Sequence, residues 1–220
     1  MLEVESVTKR FGGFVAVDGV SLRVAKPQIA AVIGPNGGGK ALDGVSFSAA
    51  AGQVYGLVGS NGAGKTTLLK HLLGLLRATT GSVRVFGLDP VRDPVGVLGR
   101  IGYLSEERGL PEWKRSDDLM RYTQAFHPTW DASYARELLD TFALDPSKKI
   151  KDLSKGMRAQ AGLIAAVAHR PELLILDEPS SGLDPATEFQ LMELLRDLAD
   201  TGCTIVCTTH VMEHAYLMDQ

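Results

Sequence analysis

The chain has 220 residues, enough for one large domain or two small ones, with 23 Lys and Arg against 26 Asp and Glu and a net charge of −3. That near balance, with aromatics at only 6%, argues against a nucleic-acid surface, and no nucleic-acid partner is expected. The start, MLEVESVTKRF, has no apolar run behind a basic head, and the apolar stretch Gly162–Ala168 is far shorter than the about 20 residues of a membrane helix, so a soluble chain is expected unless a partner carries it to a membrane.

Along the chain, the first feature is an internal repeat. Ala16–Lys40 (AVDGVSLRVAKPQIAAVIGPNGGGK) aligns without gaps to Ala41–Lys65 (ALDGVSFSAAAGQVYGLVGSNGAGK), identical at 12 of 25 positions. Two copies are too few for a solenoid. Each copy ends in a glycine loop closed by lysine, but the residues after the two lysines differ. Lys40 is succeeded by Ala41, which has no hydroxyl, and then by the second copy rather than a helix. The first loop, Gly34–Lys40, therefore reads as a non-catalytic duplicate.

The second loop has the full context. Val54–Val58 is a short apolar run that reads as a buried strand, and Thr67–Leu76 is apolar at helical spacing. Between them lie Gly59, Ser60, Asn61, Gly62, Ala63, Gly64, Lys65, Thr66 and Thr67, which fit G-x-x-x-x-G-K-[ST]. Glycines let successive backbone N–H groups turn inward and cradle phosphate oxygens. Lys65 is then placed to reach the β- and γ-phosphates of a nucleoside triphosphate, and the Thr66 hydroxyl to hold Mg²⁺. Strand, glycine loop and helix N-terminus in that order make an anion site.

Further on, Gly81–Gly87 alternates like a half-exposed strand, residues 88–98 hold two prolines and read as a connection, and Arg100–Leu104 is another short strand. Residues 116–145 read as a small helical insert, with Ser116 as N-cap of one helix and Asp131 of the next. Trp113 and Trp130 flank it as packing residues. Ser154, in Leu153–Met157, stands where an N-cap belongs, before the apolar helix Arg158–Arg170. A hydroxyl, Gly156 and free helix N–H groups offer a second anion-binding surface there.

Four consecutive aliphatics in Glu172–Pro179 (ELLILDEP) mean a strand buried on both faces, hence a parallel sheet. Asp177 and Glu178 close it at the carboxyl end, where open α/β sheets place ligands. Asp177 is the expected holder of Mg²⁺, and Glu178 the expected base that polarises an attacking water. Ser180–Pro185 reads as a turn, and Pro185 opens a helix to Ala199. The strand Thr204–Thr208 leads to His210, which could hydrogen-bond a terminal phosphate. Cys203 and Cys207, four apart on this strand, read as core.

Taken in order, these pieces resemble the ATP-binding cassette ATPases over roughly residues 41–220. GSNGAGKTT resembles the Walker A loop, LSKGM the signature loop, LLILDE the Walker B strand, SSGLDP (with Asp184) the D-loop, and His210 the switch histidine. IGYLSEERGLPEWKR with LSKGM looks like exporter-type subunits, whereas residues 1–40 look like the start of an uptake-type subunit. The resemblance implies an α/β fold: a P-loop core with a mostly parallel sheet, an antiparallel β subdomain, and a helical insert at about 105–150. It implies ATP and Mg²⁺ as ligands, hydrolysis, and a head-to-tail dimer. In that dimer Ser154, Gly156 and Asp184 of one copy complete the Walker A site of the other. It also implies a membrane permease on a separate chain, docked on the insert near Trp113, and hence a cytoplasmic location on the inner face of the membrane.

Three departures shape the expectations. The family's Q-loop glutamine falls at Glu106, which can still ligand Mg²⁺ but adds negative charge. The position of the adenine-stacking aromatic falls at Phe11, in the first copy, so that role is not carried over. Leu2–Ser6 is expected to supply the missing edge strand, with Val54–Val58 winning a central slot over Ile29–Ile33. The family continues beyond the equivalent of Gln220, so residues 41–220 read as a C-terminally truncated cassette and 1–40 as a partial duplicate of its beginning. A non-hydrolysing nucleotide-binding or regulatory module is the alternative to an ATPase energising an exporter.

Overall fold

In the computed structural model, the described residues are 2–11, 14–22, 47–49, 51–59, 62–107 and 109–209. Two sheets form. In the first, β1 (Leu2–Phe11) pairs antiparallel with β2 (Phe14–Leu22), β3 (Phe47–Ala49) and β5 (Thr80–Val85). The expected edge position of Leu2–Ser6 is thereby corrected. Leu2 and Glu3 pair with Ala49 and Ser48 of β3 and also with Val85 and Arg84 of β5. A strand hydrogen-bonded along both edges is internal. Ile29–Ile33 lies outside the described residues.

The second sheet is parallel, with strand order β4 (Val54–Val58), β8 (Thr204–Thr209), β7 (Leu173–Asp177), β6 (Ile101–Leu104). Its composition reflects burial on both faces. Leu173 and Ile175 of β7 face one core with Val206, Tyr55, Leu57 and the helix α1 (Lys65–Leu72). Leu174 and Leu176 face the other, with Ile205 and Cys207, and with α5 (Lys155–Val167) and α6 (Pro185–Asp200). The period-two alternation of a strand divides one aliphatic run between two cores. Both cysteines are buried and free, in keeping with a packing role.

The helical insert comprises α3 (Ser116–Gln124) and α4 (Ala132–Thr141). Asp131 caps α4 by accepting from Tyr134 N–H at 2.9 Å. Ser116 is not a cap: the helix starts at Ser116 itself, Arg115 is the capping position, and the Ser116 hydroxyl points to the Lys148 carbonyl. The connection 88–98 contains a short helix, α2 (Pro94–Leu98), which Asp93 caps by accepting from Gly96 N–H. Trp130 packs against the core, but Trp113 is 77% exposed, contrary to the packing role expected for it. Gly102 of β6 permits a very close approach of strand and helix. A Cβ there would run into the Ala166 carbonyl oxygen of α5, which excludes any larger residue. No helix among the described residues is long and apolar enough to cross a membrane.

Beyond the end of α5, His169 is 1% exposed and stacks on His127 with ring centroids 3.8 Å apart. Its Nε2 faces the Ile101 carbonyl at 3.1 Å and so carries the proton of the neutral ring. Burial, reinforced by the neighbouring His127, pushes the His169 pKa down to about 4. The unfolded chain therefore takes up a proton below about pH 6.5 that the folded chain refuses until about 4. Stability is full above that window and falls as pH drops through it, by roughly 3 kcal/mol. Urea unfolding at a series of pH values should show this loss in the wild type and a much weaker one in His169→Gln, where the half-buried His127 ring remains.

Candidate functional site

The parallel register decides which side chains meet. Val58 lies beside Thr209, and Thr208 beside Asp177, so the carboxyl ends of β4, β8 and β7 line up. Gly59 extends the pairing, its N–H donating to the Thr209 carbonyl at 3.3 Å. The loop then turns through Gly62 (φ 85°) and Gly64 (φ 91°), conformations that glycine adopts without a Cβ penalty. Gly64 is the N-cap of α1. No side chain caps this end, and the first turn has no acidic residue. The helix thus presents its positive end to the loop, as an anion site requires. Ser60 and Asn61 lie outside the described residues.

Four of the expected residues come together at this point. The Lys65 ammonium lies 3.2 Å from Glu178 Oε1, with both side chains 7% exposed, and it also donates to the Gly59 carbonyl. The Thr66 hydroxyl donates to Asp177 Oδ2 at 2.8 Å. Asp177 is 2% exposed and Glu178 5%. One cation thus faces two carboxylates. A triphosphate entering here would meet about 4 kcal/mol of repulsion from each charge 4 Å away at an effective dielectric of about 20. A divalent cation removes that obstacle. The oxygens of this cluster fit Mg²⁺, which typically takes one or two protein oxygens and completes its shell with phosphate and water. Thr66 and Asp177 supply such a pair.

A residue that the motifs did not single out completes the cluster. Thr208, fully buried on β8, donates its hydroxyl to Asp177 Oδ1 at 2.6 Å and accepts the Glu178 N–H at 2.9 Å. The available sequence signal was a hydroxyl inside a buried strand, one step from the end that faces the acids.

Ser154, Gly156 and Asp184 form a second group at the N-termini of α5 and α6. Ser154 caps α5 through Met157 N–H, and Asp184 caps α6 through Thr187 N–H. A Cβ on Gly156 would meet Thr187 Oγ1 at 3.3 Å and Asp184 Oδ2 at 3.6 Å, so the two caps abut. Hydrogen bonds from the Thr187 hydroxyl and N–H hold the Asp184 pKa below the usual carboxylate range. Ser154 and Asp184 are exposed, so this corner is open to solvent. Glu106 is also exposed and lines a cleft with Glu107, Leu153, Lys155 and Arg158. His210 lies outside the described residues.

An apolar cleft of about 650 Å³ runs between α2, β6, α3 and α5, rimmed by Val95, Leu98, Tyr122 and Phe126, all exposed.

Comparison with known proteins points to one family. A family model described as "ABC transporter" matches residues 42–181. The uncharacterized ABC transporter ATP-binding protein YhaQ of Bacillus subtilis (strain 168) is 38% identical over 220 residues, covering 97% of this chain and 64% of that protein. The daunorubicin resistance ATP-binding protein DrrA3 of Streptomyces coeruleorubidus is 39% identical over 219 residues, covering 97% of this chain and 61% of that protein. The chain therefore spans less than two thirds of the length of these relatives. A solved structure described as "Structure of ATP binding subunit of ABC transporter" superposes with a TM-score of 0.81 at 25% identity, covering 99% of this chain and 82% of that one.

The buried pair gives a prediction that needs no ligand. Removing one partner of a buried ion pair leaves an uncompensated charge. Lys65→Met should destabilise the chain by about 3 kcal/mol in urea unfolding, and the double variant Lys65→Met/Glu178→Gln should recover most of that loss.

Proposed function

This chain belongs to the ABC transporter family, and from that premise we propose that it is a nucleotide-binding subunit that hydrolyses ATP, with Mg²⁺, to energise a membrane exporter. The observation that carries the reading is the assembly of Lys65 with Glu178 and of Thr66 with Asp177 at the positive end of α1. In this reading the backbone of Gly59–Thr67, Ser60 and Asn61 included, cradles the phosphates. Lys65 exchanges its carboxylate partner for β- and γ-phosphate oxygens. Glu178, so released, orients and polarises the attacking water, and His210 hydrogen-bonds the terminal phosphate. Thr66 and Asp177, with Glu106, would hold Mg²⁺, which would supply positive charge to the oxygens of the transferred phosphate.

A second copy docks head-to-tail, and its corner of Ser154, Gly156 and Asp184 closes over the γ-phosphate. The open, solvent-facing position of that corner supports such a contact. The permease, on a separate chain, docks on the helical insert, where Trp113 and the apolar cleft are exposed, and holds the subunit at the cytoplasmic face of the membrane. The exporter assignment leans on DrrA3, named for daunorubicin resistance. Residues 1–40 are a non-catalytic partial duplicate of an uptake-type cassette, joined at the repeated phosphate loop. That duplication motivates the second reading, a nucleotide-binding module without turnover.

Steady-state ATPase measurement separates the two. Glu178→Gln should lower kcat about 100-fold or more while ATP still binds. A wild-type rate no higher than that of the variant would favour the second reading. Equilibrium ATP binding tests the choice of loop: Lys65→Ala should abolish it and Lys40→Ala leave it intact.

A further inference from the structure

We infer that Thr208 is a positioning residue, whose hydroxyl sets the orientation of both acidic side chains at the tip of β7. The inference rests on the ATP and Mg²⁺ reading of that site. The sheet order gives such a residue its place. β8 lies between β4 and β7, so the strand that leads into the glycine loop and the strand that carries the acids are not neighbours. Thr208 is on the strand between them, opposite both Leu57 and Asp177.

Its hydroxyl has one proton and two lone pairs. The proton goes to Asp177 Oδ1 at 2.6 Å, and a lone pair receives the Glu178 N–H at 2.9 Å. The first bond fixes the carboxylate plane of Asp177, with Oδ1 occupied and Oδ2 directed at Thr66. The second holds the peptide that enters Glu178. That residue has φ 47°, in the left-handed region where a residue with a Cβ is strained. The turn ends β7 and delivers the Glu178 carboxylate to Lys65. Thr204 on the same strand is a useful contrast. Its hydroxyl accepts the Gly52 N–H at the opposite end of the sheet and ties a turn to a strand. The Thr208 hydroxyl instead spends its donor and an acceptor site on the acid pair itself.

Thr208→Val keeps the shape and removes the hydroxyl, and Thr208→Ser keeps the hydroxyl. Binding of ATP is titrated against Mg²⁺, ADP binding is measured in EDTA, and kcat and KM are measured at saturating Mg²⁺. The Val variant should need about 10-fold more Mg²⁺ and lose about 10- to 100-fold in kcat, with KM and Mg²⁺-free ADP binding unchanged, and Ser should restore both. Wild-type behaviour of Val in both readouts overturns the inference. So does a parallel loss of Mg²⁺-free ADP binding and thermal stability that Ser fails to rescue, since that marks a purely structural role. If the wild type binds no ATP at all, the ATP reading fails separately. Thr208 is then judged by the coupling between Lys65 and Glu178 in urea unfolding, which Val should shrink and Ser preserve. Coupling left intact by Val overturns the inference.

Discussion

Three parallel strands end side by side, and every functional distance in the pocket depends on that register. Thr208 lies level with Leu57 and Asp177, and Val58 with Thr209 one position further on, so the glycine loop starts beside the tip that carries the acids. The register is in turn fixed by burial. A slip of one residue would turn Leu173 and Ile175 towards the core that takes Leu174 and Leu176, and every strand in the sheet would mispack. The chemistry at the strand tips therefore inherits its precision from side chains that never touch it.

The pocket as folded is satisfied by its own groups. Lys65 has a carboxylate and a carbonyl, Asp177 has two hydroxyls, and the Glu178 N–H has an acceptor. Pairing offsets much of what it costs to take these groups out of water, whereas one of the charges left unpaired would cost about 3 kcal/mol or more. On the proposed reading a nucleotide does not fill an empty hole. It takes over contacts that the protein already makes, which ties affinity to the ease of that exchange.

Much of this was legible in the sequence because the signals are local. The run LLILD announces a doubly buried parallel strand, GSNGAGKTT a loop between strand and helix, and Asp131 and Ser154 cap the helices expected of them. The illegible features depend on partners distant in the chain. Whether Leu2–Ser6 is an edge is decided by β3 and β5, which close on it from both sides. Ser116 looked like a cap, but the pairing of Arg115 with Lys149 starts the helix one residue early. The two prolines of 88–98 suggested a connection, yet Pro94 is a favourable first residue for the helix that Asp93 caps. Thr208 escaped notice because threonine is ordinary in a strand, and only the sheet order shows that it lies between the loop strand and the acids.

Gly102 carries a mechanical consequence. With the backbone of α5 resting directly on β6 at that point, there is no side-chain layer between them to shear. Helix and strand are held in direct contact at that point. The helix has 13 residues, a rod of about 20 Å, with the exposed corner of Ser154 at one end and the stacked histidines just past the other. A push on either end would reach the opposite end as rotation, with little lost to bending along the way.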